Sequence, residues 1–357
     1  MSVGNDPGQQ RPHGEGGRGD ARLSRSLVAD VRHDADLDRL VDLLPGRWSD
    51  ALLAETRFHL SGLMNAIELA IALHVTDADA EQALARLGPG YARTAIEDEL
   101  GLLTPDLLAH LRRRATIAML LRQHGAASPA GLSLLAGDAA HERYADTLAS
   151  LAIAERRWCA PMLLAAPMRP DLPAEQFHDL AWTVAALMIR GCELNAIASG
   201  PALVKALARA TDRLIAQHDE GQGAFALAQR CARSLPADMR LALAPAALVE
   251  GRLLLFAALA ERETGLPLDE LIDALTGESD EARFALLRMM GVDDAVAFAA
   301  ADMLTPFTGL SAHGDAALAA FVEGYRRFET PRAEYWLAAR VRPRALGSRL
   351  AHMAGTR

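Results

Sequence analysis

Apolar residues recur at three- and four-residue intervals along most of this chain, the period of helices that bury one face. No segment alternates with period two for long enough to make a strand. Leu52, Leu53, Leu60, Leu63, Ile67, Ile71 and Val75 form such a stripe behind Ser49, which suits a helix N-cap, so a long helix is predicted from Ser49 through Val75. A short helix follows Asp77 as far as Leu87, where Gly88-Pro89-Gly90 breaks it. Upstream, Leu23, Leu27, Val31, Leu37, Leu40 and Leu44 predict one or two amphipathic helices over 21–44. Downstream, helices are predicted over 105–123, 138–158, 173–190, 200–218, 223–233, 236–263, 267–276, 279–290, 293–304, 314–328 and 331–352. Residues 180–208 hold few charges and have apolar groups on every side of the helical wheel, so their helices are expected to be buried all round, at the centre of the core.

Proline and glycine punctuate this pattern. Pro105, Pro173, Pro236, Pro267 and Pro331 open helices, most with a carboxylate in the first turn, where the helix dipole favours negative charge. Gly125, Gly191, Gly221, Gly265, Gly277 and Gly291 stand where helices are expected to stop. The prolines recur at roughly one or two multiples of ~32 residues, the size of one helical-hairpin repeat. Any two average helices with their loops occupy a similar length, so two all-α architectures stand open: stacked helical hairpins in a HEAT-like array, or an irregular multi-helix bundle. The expected organisation is a disordered tail over 1–20, an N-terminal helical region over 21–100, a helical array over 101–352, either continuous with that region or separate from it, and a tail over 353–357.

Composition agrees with helices: 51% of residues are hydrophobic but only 5% aromatic, with Ala and Leu abundant. The net charge of −9 argues against a general nucleic-acid binder. Cys159, Cys192 and Cys231 are odd in number, far apart and in apolar settings, as expected of reduced thiols in a cytoplasmic protein. The first twenty residues lack the apolar run of a signal peptide, and charges or Pro245 interrupt the longest apolar runs before they reach membrane-spanning length. Gly14, Gly16 and Gly19 satisfy GxGxxG, but without a preceding strand they predict no dinucleotide site.

Candidate chemistry is sparse. Glu175 and His178 have the ExxH spacing of a di-iron bundle ligand pair, but a second such pair is missing and no metal or other cofactor is expected. His59 and His141 sit in helices without the residues that would orient a phosphate, so packing or hydrogen bonding is the expected role. Glu68, beside the stripe of its helix, is expected to pair with an Arg of a neighbouring helix or to lie just off the stripe. Arg190, Glu193 and Asn195 interrupt the most apolar stretch and are read as a buried polar cluster, and Arg252 follows Glu250 in another such stretch; these groups are expected to pair between helices or to line a pocket. Lys205 is the single lysine, which fits a general preference for arginine. After Glu334 the chain has no acidic residue, and Arg340, Arg342, Arg344 and Arg349 leave a positive end suited to a partner.

The Leu-Pro helix starts and the segment Glu281-Ala282-Arg283-Phe284-Ala285-Leu286-Leu287-Arg288-Met289-Met290-Gly291-Val292 resemble the bacterial family called domain of unknown function 2336. That resemblance implies a helical, HEAT-like fold and assigns no activity or catalytic residue. The expectation is a cytoplasmic helical scaffold or regulator that binds another protein, more readily than an enzyme. Two alternatives are a small-molecule binder or enzyme with a pocket among the central helices, and a nucleic-acid-associated regulator using the arginine-rich end.

Overall fold

The computed structural model describes residues 49–124, 139–159, 168–277, 279–308 and 314–340, all within one compact unit, Leu44–Arg357. The elements predicted over 21–44 and 341–352, and both expected tails, lie outside the described residues. Among the described residues the regular structure is helical, with fifteen α-helices and no strand.

In chain order they are α1 (Asp50–His74), α2 (Ala78–Leu87), α3 (Tyr91–Ala95), α4 (Pro105–His124), α5 (Ala139–Cys159), α6 (Ala174–Leu194), α7 (Pro201–Ala216) and α8 (Ala224–Ser234). There follow α9 (Ala237–Val249), α10 (Leu253–Thr264), α11 (Leu268–Thr276), α12 (Asp280–Met289), α13 (Asp294–Thr308), α14 (Gly314–Arg327) and α15 (Thr330–Arg340). The starts follow the chemistry of the sequence. Ser49 Oγ accepts from Leu52 N at 3.2 Å and Asp77 accepts from Ala80 N at 3.0 Å, while Pro173, Pro236 and Pro267 precede α6, α9 and α11 directly. Proline there has no N–H to leave unpaired.

Three stops differ from expectation. Gly191 lies inside α6, where its missing side chain admits the Tyr91 ring, and α6 runs on to Leu194. Gly221 sits in a short 3-10 turn, Glu220–Gln222. The single helix predicted over 236–263 is two: Pro245 is accommodated inside α9, and the chain turns at Gly251, φ 69°, where Arg252 N donates back to Ala247 O at 2.9 Å. That six-to-one bond around a left-handed residue is the Schellman helix ending.

α1 packs against α4, α6 and α7, with α2 and α3 covering α6. α5 packs on α4 and α8; α10 is surrounded by α8, α9, α11, α12 and α4; and α12 pairs with α15 while α13 pairs with α14. The main continuous core joins α4, α5 and α8 to α15. Its middle is α10, whose residues from Leu253 to Ala260 are at most 1% exposed.

This corrects the placement of the core centre. Residues 180–208 lie outside that core, and α6 buries one stripe, Phe177, Leu180, Ala181, Val184, Ala185, Leu187, Met188 and Cys192. Its other face exposes Asp179, Ala186, Arg190 and Glu193. Alanine reads as apolar on a helical wheel yet costs little in water, so the wheel overstated the buried arc.

Candidate functional site

A groove runs along α1. Its wall on the far side is α2 and the Gly88-Pro89-Gly90 turn, whose two glycines adopt φ 83° and 80°, conformations that side chains disfavour. The turn is tied down by Glu68. This carboxylate, 6% exposed, accepts from the backbone N–H groups of Gly90 at 2.7 Å, Tyr91 at 3.2 Å and Ala92 at 2.9 Å. Those are the orphan donors at the start of α3, so an anion is satisfied there without any guanidinium. The expected Arg partner for Glu68 is therefore replaced by a helix N-terminus.

The resulting groove encloses about 870 Å³. Its apolar surface comes from Phe58, Leu69, Leu73 and Leu84, with Met168 and Met188 at the base. Leu69 and Leu73 stand 49% and 76% exposed on successive turns of α1. Gly62 lets Met168 approach so closely that a Cβ would lie 2.8 Å from its methyl carbon. A smaller recess of about 400 Å³ lies across the Leu87–Tyr91 segment, between α3 and α6, and is lined by Asp98, Glu99 and Arg190 among others.

Arg190 and its neighbours do not form a buried cluster. Arg190 is 58% exposed in its side chain and pairs with Glu99 at 2.7 Å, on the rim of the smaller recess. Glu193 and Asn195 are exposed too, and the Asn195 amide donates to Gly191 O at 2.8 Å, closing the end of α6. Each falls on the solvent side of the single buried stripe. Arg340 ends α15 with its guanidinium 3.8 Å from the centre of the Trp336 ring. Arg342, Arg344 and Arg349 lie outside the described residues. His178 is exposed, 3.3 Å from Asp179 and within hydrogen-bond distance of the Trp182 indole N–H at 3.2 Å; Lys205 is exposed on α7. Among the described residues no cluster of three His, Cys, Asp or Glu side chains is arranged to hold a metal.

A polar seam runs inside the molecule, and of its members only Arg252 was expected to be a buried charge paired between helices. Arg114 on α4 is fully buried and pairs with Asp171 at 2.6 Å, and Asp171 also accepts from the Trp158 indole at 2.8 Å. Glu155 and Arg252, each about 2% exposed, pair at 3.0 Å between α5 and the start of α10. His59, fully buried, lies 3.2 Å from Glu55, which is also clamped by Arg122 at 2.5 and 2.9 Å. Burial works to raise the Glu55 pKa, but His59 and Arg122 outweigh it and hold the carboxyl down to about 2. Burial pushes His59 down to about 4, assisted by the Arg114 and Arg122 charges and opposed by Glu55. Burial and the Arg114 and Arg113 charges push His110 down to about 3. The run Arg112-Arg113-Arg114 carried the missed signal, because three successive positions span about 200° of a helix and on a helix packed on several sides one of them turns inward. Arg112 and Arg113, both half-buried, reach across to Asp273 on α11.

Comparison with protein-family models, curated proteins and solved structures finds no match. The site is therefore defined by geometry alone. Burial raises the thiols of Cys159 and Cys231 to about 12 and that of Cys192 upward as well, so at neutral pH these cysteines are packed, protonated groups and poor nucleophiles.

Proposed function

We propose that this chain is a cytoplasmic helical scaffold that acts by binding another protein, and that the α1–α2 groove takes an amphipathic helix of that partner. The supporting observation is the pair Leu69 and Leu73, large aliphatic side chains held in water beside an apolar cleft. The α1 lining runs from Phe58 to Leu73, about 22 Å at the rise of an α-helix, which matches roughly four turns of a docked helix. Met168 and Met188 supply a floor that adapts to the shape of the partner. The same volume lies within the range of small-ligand pockets, so a second reading is a binder of an elongated apolar molecule. The architecture remains, as a proposal, a stack of helical pairs like that of the domain of unknown function 2336 family, an arrangement that offers long surfaces to partners.

The test is titration of the full chain with a fluorescent, Leu-faced helical peptide of about eighteen residues. Saturable binding that weakens at least about tenfold in Leu73→Asp supports the reading, since Leu73 is mostly exposed and the change spares the core. Binding unaltered by Leu69→Asp and Leu73→Asp together removes the groove from the account.

A further inference from the structure

We infer that Asp171, which does not line the groove, is the positioning residue for its floor: it pins the segment 168–173, whose Met168 closes the groove base. For its effect on binding the inference rests on the groove reading above. Between Met168 and Pro173 the backbone is neither helix nor strand, so no repeating ladder of hydrogen bonds holds it in place. Side chains fix it at three points. At the groove end the Met168 thioether lies over Gly62 of α1, where a Cβ would stand 2.8 Å from its methyl carbon and 2.9 Å from its sulfur. In the middle Asp171, its side chain 7% exposed, accepts from Arg114 on α4 at 2.6 Å and from the Trp158 indole on α5 at 2.8 Å. At the far end the His218 ring N–H donates to Leu172 O at 2.8 Å.

These points differ in strength. The Met168 contact is dispersion without direction, and the Leu172 bond is a single one to a backbone carbonyl. The Asp171 carboxylate holds two directed bonds, one of them charge-assisted and out of water. Its two donors also hold each other, since the Arg114 guanidinium lies 4.9 Å from the centre of the Trp158 ring. Met168 stands three residues away, at most about 11 Å along an extended chain. The seat of Asp171 therefore decides where Met168 can reach, and with it the shape of the floor a docked helix meets.

The experiment exposes the full chain to dilute hydrogen peroxide and follows sulfoxide formation at each methionine by mass spectrometry, with titration of the Leu-faced peptide alongside. Met168, 6% exposed, and Met290 in the core, 0% exposed, should both be protected in the native chain. In Asp171→Asn, Met168 should oxidise at least about fivefold faster while Met290 keeps its rate, and the peptide should bind more weakly. The double variant Arg114→Met with Asp171→Asn leaves no buried charge unpaired, and should show the same where the single variant does not fold. Glu155→Gln is the control. It breaks the buried pair with Arg252, off the segment, and should leave Met168 protected. Equal Met168 rates in the native chain and in the Asp171 variants would overturn the inference. So would Met168 oxidising as fast in Glu155→Gln, or Met290 accelerating together with Met168, since either marks general loosening. Faster oxidation of Met168 alone, with peptide affinity unchanged, would uphold Asp171 as the anchor and remove the groove as the peptide site.

Discussion

Glu68 shows how one side chain carries both the fold and the site. Its three backbone hydrogen bonds hold the turn that walls the groove. Glu68→Ala leaves those donors with no acceptor, and should lower stability by about 2–4 kcal/mol in urea titration while weakening peptide binding to the groove. The buried histidines dictate a second behaviour. In the unfolded chain His59 takes a proton near pH 6.5, but in the folded protein only near 4. The folded state thus binds fewer protons in that window, so stability is complete above pH 6.5 and is lost as pH falls toward 4. The unfolding free energy from urea titration should drop between pH 7 and pH 5 by an amount on the order of 2 kcal/mol for His59, and His59→Gln should flatten the profile. His110, pushed down to about 3, adds a loss of the same sign. Neither histidine could be assigned this way from the sequence, because its environment is made by helices far apart along the chain.

At the scale of elements, periodicity located nearly every described helix, and the caps set their starts to within a residue or two. The misses have separate causes. α3 is only five residues long, too short for a periodic signal, and exists because Glu68 from α1 receives its N-terminus. The turn between α9 and α10 was hidden because Gly251 follows an apolar run that continues on the other side. α6 ends in the same six-to-one pattern, Ile197 N to Cys192 O at 2.8 Å, but the left-handed residue is Ala196, φ 52°. A methyl group in that conformation costs about 1 kcal/mol relative to glycine. Ala196→Gly should therefore raise the melting temperature, with a gain of about 0.5–1 kcal/mol, where glycine substitution inside a helix would lower it.

At the scale of the whole molecule, α10 is buried on all sides from Leu253 to Ala260. Phe256→Ala should cost about 3–5 kcal/mol in denaturant titration, whereas Val204→Ala on the 43%-exposed surface of α7 should stay within about 0.5 kcal/mol. By itself the sequence determined that the chain is helical, where most helices begin, and that its apolar groups suffice to bury continuous stripes. These are local matters, decided by the period of apolar residues, by proline's missing N–H and by short capping side chains. Tertiary structure alone decided that α10 and not α6 is the centre, that Arg190, Glu193 and Asn195 face water while Arg114 does not, and that Leu69 and Leu73 border an open groove. The reason is geometric: a helix's own sequence marks which residues can share a face, but the neighbours that cover that face arrive from elsewhere in the chain.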